Sequence, residues 1–327
     1  MTEVHRILVT GAAGQIGSEL TLALREIYGN DKVIAVAHVT KPSQELLESG
    51  PCAFFDCTEA ETTAEIISKH KVDTIYHLAS LLSAVGERDP QKAWDVNMNG
   101  LLNVLEAARE CKCAVFYPSS IAAFSPNAPK DKTPQVTLQR PATIYGVTKV
   151  AGELLCDYYF KRFGVDTRGV RYPGLISYKT LPGGGTTDYA VQIYYDAVQG
   201  KAFTCYLKPG TYMDMMYMPD AIKAAIQIME ADPGRLRYRN AYNIGAMSFA
   251  PEIIAAQIQK EVPSFKMEFQ IDPLRQAIAD SWPNSMDDSA AREDWNWKPD
   301  YNLESMTKDM IDKLSLKLLG KPHQKTK

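Results

Sequence analysis

Tyr145 and Lys149 are the pair whose residue types and spacing suggest acid–base chemistry. They stand four positions apart at the start of a helical pattern that continues through Leu154, Leu155 and Tyr158, so both side chains project from one face of one turn. A free tyrosine has a pKa of roughly 10, but a fixed ammonium group nearby favours the phenolate and lowers that pKa. A phenolate can take a hydroxyl proton while a hydride leaves the same carbon. Taken alone, a Tyr–Lys pair at this spacing is usually a solvated helix face.

Ser119 and Ser120 come after the fifth predicted strand, Ala114 to Tyr117. Ligands bind at the carboxyl edge of an open parallel sheet, so a hydroxyl group there could hydrogen-bond a substrate oxygen and orient it towards Tyr145. The alternative is a strand-end serine that satisfies a turn.

A glycine-rich stretch opens the chain. Ile7 to Val9 form an apolar strand pattern, an apolar helical pattern begins at Ile16, and between and within them lie glycines at every third position, Gly11, Gly14 and Gly17. Glycine is needed where the backbone takes positive φ, where a pyrophosphate approaches the main chain and where the helix packs close to the strand. The following helix N-terminus offers unpaired N–H groups to phosphates. An ordinary strand–helix turn is the alternative, but the joint occurrence of this loop with Ser120 and the Tyr–Lys pair favours a dinucleotide-dependent catalyst.

The elements that must position these residues alternate through the first half of the chain. The predicted strands are Val33 to Ala37, Ala53 to Phe55 and Thr74 to Leu78, besides the first and fifth, and predicted helices span Glu59 to Lys69 and Lys92 to Arg109. This alternation predicts an α/β fold, a Rossmann-type doubly wound parallel sheet. After Pro182 the pattern loosens, so we expect a dinucleotide-binding domain at 1–175 and a smaller C-terminal substrate lobe at 176–327. Residues from about 215 to 250 are expected to return to the sheet, with a strand near Tyr242 to Gly245.

Composition excludes several classes of partner. The 327 residues are 45% hydrophobic and 23% charged, with a net charge of −3, as in ordinary globular proteins. No basic field invites nucleic acid or an anionic membrane, and no apolar run reaches the roughly 20 residues of a membrane span. The six cysteines show no paired CxxC spacing, so we expect reduced thiols and no metal site. The first strand lies so near Met1 that we expect no targeting peptide and a soluble intracellular protein, with cytoplasm and mitochondrial matrix both open.

The cofactor has to be inferred from the ends of the second and third strands. The second strand of a dinucleotide fold usually ends in an acidic residue that binds the ribose, but here it is followed by His38 and Val39. No arginine stands there to hold a 2′-phosphate either, so NAD is favoured over NADP. Asp56, after the third strand, is expected to meet the adenine amino group. A solvated strand-end cap is the alternative for Asp56.

These motifs resemble those of the extended short-chain dehydrogenase/reductases. The resemblance covers most of the first 175 residues and rests on Gly11, Gly14, Gly17, His77 to Ser80, Asn97 to Gly100, Pro118 to Ser120, Tyr145 to Lys149 and Arg171 to Gly174. Within that family, three more specific segments resemble the short-chain type of L-threonine 3-dehydrogenase: Gln139 to Tyr145, Pro182 to Tyr189 and Asp280 to Asp288. Ser125 departs from the family, where relatives often have glycine.

The resemblance implies a role for each matching residue. Tyr145 would be the general base, Lys149 would hold the nicotinamide ribose and lower the tyrosine pKa, and Ser120 would bind the reacting hydroxyl. Asn97 would brace the active-site helix or join a proton path. The cofactor would be bound by Gly11, Gly14, Gln15, Ile16, Gly17, Asp56, Cys57, Leu78, Ala79, Ser80, Asn97, Tyr145, Lys149, Tyr172, Gly174 and Leu175. The substrate would be contacted by Ser83, Ser120, Tyr145, Gly185, Thr186, Thr187 and Trp282.

The reaction implied by the resemblance is NAD-dependent oxidation of the L-threonine β-hydroxyl to 2-amino-3-oxobutanoate, a step of threonine catabolism. The resemblance also implies a homodimer paired through the helices at 92–109 and 146–163. Burial against the chain's own sheet explains part of the apolar stripes on these helices. A nucleotide-sugar 4-epimerase or dehydratase is an alternative on the same fold. Against it, the second lobe shows no cluster of cations for a diphosphate, and we interpret Arg235, Arg237 and Arg239 as an exposed edge. A dinucleotide-sensing regulator is a third hypothesis, which leaves the Tyr145, Lys149 and Ser120 set unexplained.

The glycine run from Pro182 to Gly185 suits a mobile lid that forms a carboxylate site on closing. A flexible linker between the lobes is the alternative. The Lys-rich tail from Gly320 is expected to be a frayed terminus.

Overall fold

The structure is a computed structural model that describes residues 6–180 and 185–323. The predicted lid or linker at Pro182 to Gly184 therefore lies outside the described residues, as do the last four residues of the tail.

The strands are short and most are buried. In chain order they are β1 (Ile7–Thr10), β2 (Val33–Ala37), β3 (Cys52–Phe54), β4 (Thr74–His77), β5 (Ala114–Phe116), β6 (Ser119–Ser120), β7 (Thr167–Arg168), β8 (Val170–Tyr172), β9 (Gly174–Ile176), β10 (Phe203–Cys205), β11 (Met213–Tyr217), β12 (Tyr242–Asn243), β13 (Met247–Phe249) and β14 (Met267–Phe269).

The helices are α1 (Gln15–Tyr28), α2 (Gln44–Glu48), α3 (Ala60–Lys69), α4 (Ser83–Gly86), α5 (Pro90–Trp94), α6 (Gly100–Cys111), α7 (Ile144–Phe163), α8 (Tyr189–Val198), α9 (Met218–Glu230), α10 (Pro251–Glu261), α11 (Pro273–Ser281), α12 (Ser289–Trp295) and α13 (Leu303–Leu319). The predicted helix at 92–109 is divided, because a π-helical turn at Asp95–Asn99 joins α5 to α6.

A six-stranded parallel sheet forms the centre, in the order β3-β2-β1-β4-β5-β7. Every residue of β1 and β2 is buried, as expected for parallel strands covered on both faces. Leu20 and Leu24 of α1 pack with α9 in one hydrophobic cluster, whereas α3, α6 and α7 contribute to a second cluster around Leu8 and Ile75. The predicted doubly wound α/β fold is thereby confirmed.

The sheet continues beyond its main body where the catalytic residues were expected. After Pro118 the chain runs on into β6, and β7 runs on into β8, so Ser119 pairs with Arg171 and Ser120 with Tyr172. β12 pairs in parallel with β8 and returns the chain to this region at Tyr242. The register places Ser120 beside Tyr172, one of the residues that the resemblance assigns to the cofactor.

A separate hydrophobic cluster belongs to the second half of the chain. It is built around α8, α10 and α13, with Tyr194, Ile258 and Leu314 among its fully buried members. Two small sheets accompany it, one in the order β13-β11-β9 and the other pairing β10 with β14. The division of the chain near residue 175 stays a prediction. Across the described residues, no helix combines the length and the apolar character that crossing a membrane requires.

Candidate active site

A cleft of about 490 Å³ lies at the carboxyl ends of the parallel strands. The structure brings most of the predicted site residues into its lining: Gly11, Gly14, Gln15, Ile16, Gly17, Leu78, Ser80, Ser83, Ser120, Tyr145, Lys149, Tyr172, Gly174, Leu175, Gly185, Thr186, Thr187 and Trp282. This position is where open α/β sheets bind their ligands.

The glycine turn has the geometry that a dinucleotide needs. Gly11 has a φ of +66°, and a Cβ atom there would lie 2.7 Å from the Ala79 amide nitrogen. A Cβ atom on Gly17 would lie 2.2 Å from the Gly11 carbonyl oxygen, so helix α1 could not pack this close to the turn with any side chain. Helix α1 begins at Gln15, and Gly14 before it offers no side-chain cap. The first turn also has no acidic residue, which leaves the first N–H groups and the positive end of the helix for a phosphate. The residues present fit a dinucleotide.

Hydrogen bonds to Thr10 hold the segment after β4 next to the glycine turn. The Thr10 hydroxyl group accepts hydrogen bonds from the amides of Leu78 (3.1 Å) and Ala79 (3.3 Å) and contacts Nδ1 of His77 (2.9 Å). Burial lowers the pKa of His77 to about 3, and the charge on Lys149 acts in the same direction. His77 is therefore a neutral buried strand residue, and Ala79 contributes its backbone beneath the cleft.

Asn97 lies behind the cleft and connects two of its walls. The π-helical turn directs Asn97 inward, where it is only 2% exposed. Its amide oxygen accepts from the Leu81 amide (2.7 Å) and the Ser80 hydroxyl (3.1 Å), and its amide nitrogen donates to the Thr148 hydroxyl oxygen (3.1 Å) on helix α7. This geometry fits the expected bracing of the active-site helix.

Helix α7 presents Tyr145 and Lys149 to the cleft. The Thr143 hydroxyl accepts from the Gly146 amide and starts the helix at Ile144, immediately before Tyr145. Lys149 Nζ is buried, donates to the Pro118 carbonyl oxygen (2.8 Å) and lies 5.4 Å from the centre of the Tyr145 ring. Burial lowers the pKa of Lys149 to about 8, against the opposing charge of Glu153.

The acidity of Tyr145 differs from the expectation. Burial raises the pKa of Tyr145 to about 12, and a hydrogen bond from Ser120 opposes that rise. Desolvation dominates, so the pKa of this phenol lies above its usual value, and the lowering of that pKa by Lys149 stays a prediction. The neighbour that favours the phenolate is Ser120.

A buried ion pair lies behind the residues predicted to be catalytic. Glu153, two turns after Tyr145, accepts from the Arg171 guanidinium group through both carboxylate oxygens (3.0 and 2.7 Å). The same carboxylate accepts from the Gln139 amide (2.8 Å) and from the Ser119 hydroxyl. Glu153 and Arg171 are 3% and 5% exposed, so each is the other's main compensation for burial. The pair joins α7, β6 and β8 directly behind the cleft.

Besides Ala79 and Asn97, two predicted cofactor residues after β3 lie outside the cleft lining. Asp56 pairs with His38 (3.3 Å) and accepts from the Thr58 amide (2.9 Å). His38 thus meets the carboxylate of the next strand at the point where an acid on its own strand was expected. Cys57 is buried, and desolvation raises the pKa of its thiol to about 12. Adenine binding by Asp56 stays a prediction.

The segment that carries Trp282 is held by residues that the sequence did not single out. Lys130 Nζ donates to the carbonyl oxygens of Asp280 (2.9 Å) and Trp282 (3.1 Å). The Met286 amide donates to Asp214 (2.7 Å), a carboxyl whose pKa burial raises to about 8. Asp188 also lines the cleft and accepts from the Gly185 amide (2.6 Å). Asp188 belongs to the segment Pro182 to Tyr189, on which the resemblance partly rests, whereas no local sequence pattern indicates Lys130 or Asp214.

Two of the three arginines interpreted as an exposed edge are bound in ion pairs. Arg239 is paired with Asp166 (2.6 Å), and its side chain is only 10% exposed. Arg237 pairs with Glu293 and Asp294 (both 2.7 Å). The exposed-edge interpretation is therefore wrong for Arg239, since its guanidinium group packs over Phe160.

Within residues 6–180 and 185–323, no three acidic, histidine or cysteine side chains are grouped as a metal site would need.

Comparison with known proteins decides the family. Residues 7–245 match the model of the NAD dependent epimerase/dehydratase family. The chain belongs to this family. The glycine turn at the start of α1 is the feature that a dinucleotide cofactor of this kind needs. NAD is the cofactor.

The relatives of this NAD-dependent chain include proteins with and without an assigned activity. An uncharacterized epimerase/dehydratase of Staphylococcus saprophyticus is 53% identical over 310 residues, which cover 94% of this chain and 97% of the relative. The structure of an L-threonine dehydrogenase from Clostridium difficile is 58% identical, with a TM-score of 0.95 over 96% of this chain and 99% of that one. A GalE-like L-threonine dehydrogenase from Cupriavidus necator in its holo form is 50% identical, with a TM-score of 0.91 over 94% and 99% of the chains.

Proposed function

We propose that this protein is an L-threonine 3-dehydrogenase, which oxidises the β-hydroxyl of L-threonine to 2-amino-3-oxobutanoate with reduction of NAD. The similarity to L-threonine dehydrogenases carries the proposal, because at 58% identity it extends over nearly the whole of both chains. The cleft supports it from the other side, since a Ser–Tyr–Lys set faces the segments predicted to contact an amino acid.

The chain's own residues account for the movement of the proton. Ser120 and Tyr145 line the same cleft, so the substrate hydroxyl can lie between the serine hydroxyl and the phenol oxygen. Tyr145 as phenolate accepts the hydroxyl proton while the carbon–hydrogen bond at the same carbon breaks with its electron pair and the C=O bond forms. When bound, NAD supplies the acceptor for that hydride. Lys149, held at the Pro118 carbonyl, presents its charge beside the site of this proton transfer.

The distribution of cations disfavours a nucleotide-sugar substrate. Among the described residues that line the cleft, Lys149 is the one lysine or arginine, and it is buried at the nicotinamide end. Arg237 and Arg239 are engaged in ion pairs outside the cleft. The diphosphate group of a nucleotide sugar would therefore find no cluster of cations among the described lining residues. An amino acid carries no phosphate and needs no such cluster.

A substrate panel tests the proposal. Formation of reduced cofactor would be followed with L-threonine, L-allo-threonine and L-serine, each with NAD and then with NADP, and conversion of UDP-glucose to its 4-epimer would be followed by chromatography. We expect preferential turnover of L-threonine with NAD. Absence of turnover with every amino acid, together with 4-epimerisation of the UDP-sugar, would overturn the proposal in favour of the nucleotide-sugar alternative.

We further propose a homodimer paired through the helices at 92–109 and 146–163. Large apolar side chains stay exposed on these helices: Trp94, Leu102, Val147, Leu154, Tyr158 and Phe163. Leu154 and Tyr158 are four residues apart on one face of α7, at 62% and 52% exposure, a pattern that favours burial against a partner. Light scattering should give twice the chain mass, and Leu154→Glu with Tyr158→Glu should give the single chain mass. A single-chain mass for the unaltered protein would contradict the dimer.

The similar proteins from Staphylococcus favour a cytoplasmic location over the mitochondrial matrix.

A further inference from the structure

Tyr206 lies directly after β10 and contacts the turn that carries the threonines of the cleft. Its hydroxyl oxygen accepts a hydrogen bond from the Tyr189 amide (2.8 Å). The same hydroxyl donates to the Thr186 carbonyl oxygen (3.1 Å), with the Gly185 carbonyl oxygen at 3.3 Å as the alternative acceptor. One phenol group therefore binds both ends of the 3₁₀ turn Thr186–Asp188.

The Tyr189 amide has a particular need for this acceptor. Tyr189 is the first residue of α8, and the amides of the first helical turn have no acceptor within their own helix. Tyr189 is fully buried, so water does not replace the phenol oxygen. Loss of the Tyr206 hydroxyl would leave this buried donor with only the Thr187 carbonyl oxygen, two residues earlier in the chain, as an acceptor. A poorly paired buried donor costs more than the loss of an exposed hydrogen bond.

Tyr206 is also attached to the helix that leads to Trp282. The Arg275 guanidinium group of α11 lies 4.2 Å from the centre of the Tyr206 ring. The Tyr206 carbonyl oxygen accepts from the amide of Asp272, the residue that caps the start of α11 (2.9 Å). Helix α11 ends at Ser281, immediately before Trp282. The phenol thus lies between the two segments that face the substrate end of the cleft.

The Tyr206 phenol keeps its proton at neutral pH, because its pKa is raised. Burial raises the pKa of Tyr206, the Asp188 carboxylate acts in the same direction, and the Arg275 charge opposes both. A neutral phenol can donate to the turn and accept from α8 at once, whereas phenylalanine in the same place could do neither.

We propose that Tyr206 is a positioning residue for the substrate: its hydroxyl group holds Thr186 and Thr187 in place against the cleft, and its ring holds the helix that ends at Trp282. This inference rests on the proposed function where it assigns those residues to the amino acid substrate. The hydroxyl does not line the cleft, so it acts through the turn.

Tyr206→Phe tests the proposal because it removes only the hydroxyl group. We expect the KM for L-threonine to rise about 3- to 10-fold while kcat changes less than about twofold, since one neutral hydrogen bond of this kind is lost. The dissociation constant of NADH, measured by fluorescence, should not change. The matched control is Tyr194→Phe, which removes the hydroxyl bond to Thr307 (2.7 Å) on the opposite side of α8. An unchanged KM in Tyr206→Phe, or an equal rise in Tyr194→Phe, would overturn the proposal.

A second readout does not depend on the reaction. Hydrogen exchange at the Tyr189 amide should be at least about tenfold faster in Tyr206→Phe than in the unaltered protein and in Tyr194→Phe. Equal exchange rates in the two variants would show that the Tyr206 hydroxyl does not hold this turn, whichever substrate the protein uses. If the unaltered protein oxidised no threonine but its Tyr206→Phe variant showed the faster exchange, the proposed function would fail while the anchoring of the turn would stand.

Discussion

The ammonium nitrogen of Lys149 lies 2.8 Å from the backbone carbonyl oxygen of Pro118 and donates a hydrogen bond to it. This bond fixes the lysine one turn from Tyr145 and beside the strand extension that carries Ser120. Burial of this lysine disfavours its charged form and therefore costs stability at neutral pH, while the proposed reaction uses that charge in the cleft. Replacement of Lys149 should therefore change stability and turnover in opposite directions.

Lys149→Met should reduce turnover by about 10²- to 10⁴-fold and yet increase the free energy of unfolding at pH 7. Burial lowers the pKa of Lys149 from 10.5 to about 8, so the folded state disfavours the charged form that predominates at neutral pH. Relief of that cost should add about 1–3 kcal/mol at pH 7. The gain should shrink as the pH rises from about 8 towards 10.5, where the lysine of the unfolded chain also loses its proton. Urea unfolding at several pH values measures the difference, and a less stable variant at pH 7 would contradict it.

Tyr145→Phe should abolish turnover and leave cofactor binding nearly intact. The substitution removes only the phenol oxygen, which is the proton acceptor in the proposed reaction, and keeps the ring in the cleft wall. Steady-state kinetics and NADH fluorescence titration together check both parts. Retention of more than about 5% of kcat would refute the assignment of Tyr145 as the base, because a missing general base costs at least about 100-fold.

Ser120→Ala should shift the pH dependence of kcat as well as its size. The Ser120 hydrogen bond opposes the rise of the Tyr145 pKa to about 12, so its removal should raise that pKa further. The phenolate then forms only at higher pH, and the rising limb of kcat against pH should move to higher pH, with kcat at pH 8 about 10- to 100-fold lower. Ser125→Ala is the matched control, since Ser125 is buried outside the cleft lining and accepts from the Asn127 amide. A lower kcat with an unmoved limb would restrict Ser120 to substrate binding.

Glu153→Gln should destabilise the fold by about 3–5 kcal/mol. The variant leaves the Arg171 charge buried at 5% exposure without its carboxylate partner. The double variant Glu153→Gln with Arg171→Met should lose less than the single one, because no uncompensated charge is left. Chemical denaturation measures both. A single variant that loses under about 1 kcal/mol would show that the ion pair compensates little of its own burial.

The parts of the site that follow from local sequence were predictable. The positive φ of Gly11, the close packing at Gly17 and the common face of Tyr145 and Lys149 are all fixed within about one turn of chain. Ser120 was found because it follows a strand that the apolar pattern marks clearly.

The parts that depend on contacts between distant residues were not predictable. Tyr206 reaches the turn at Thr186 across 20 residues, and Lys130 reaches Trp282 across 152. The π-helical turn that directs Asn97 inward interrupts a helix whose apolar pattern reads as continuous. The pKa of Tyr145 depends on how completely the fold desolvates the phenol, which no spacing of residues records.

The transfer of the C3 hydrogen from L-threonine tests the central claim most directly. L-[3-²H]threonine would be incubated with the protein and NAD, and the reduced cofactor would be analysed by mass spectrometry. The proposed reaction predicts that each reduced cofactor carries one deuterium atom, and that 2-amino-3-oxobutanoate or its decarboxylation product forms in equal amount. Reduced cofactor without deuterium, or no reduced cofactor at all, would contradict hydride transfer from the threonine β-carbon.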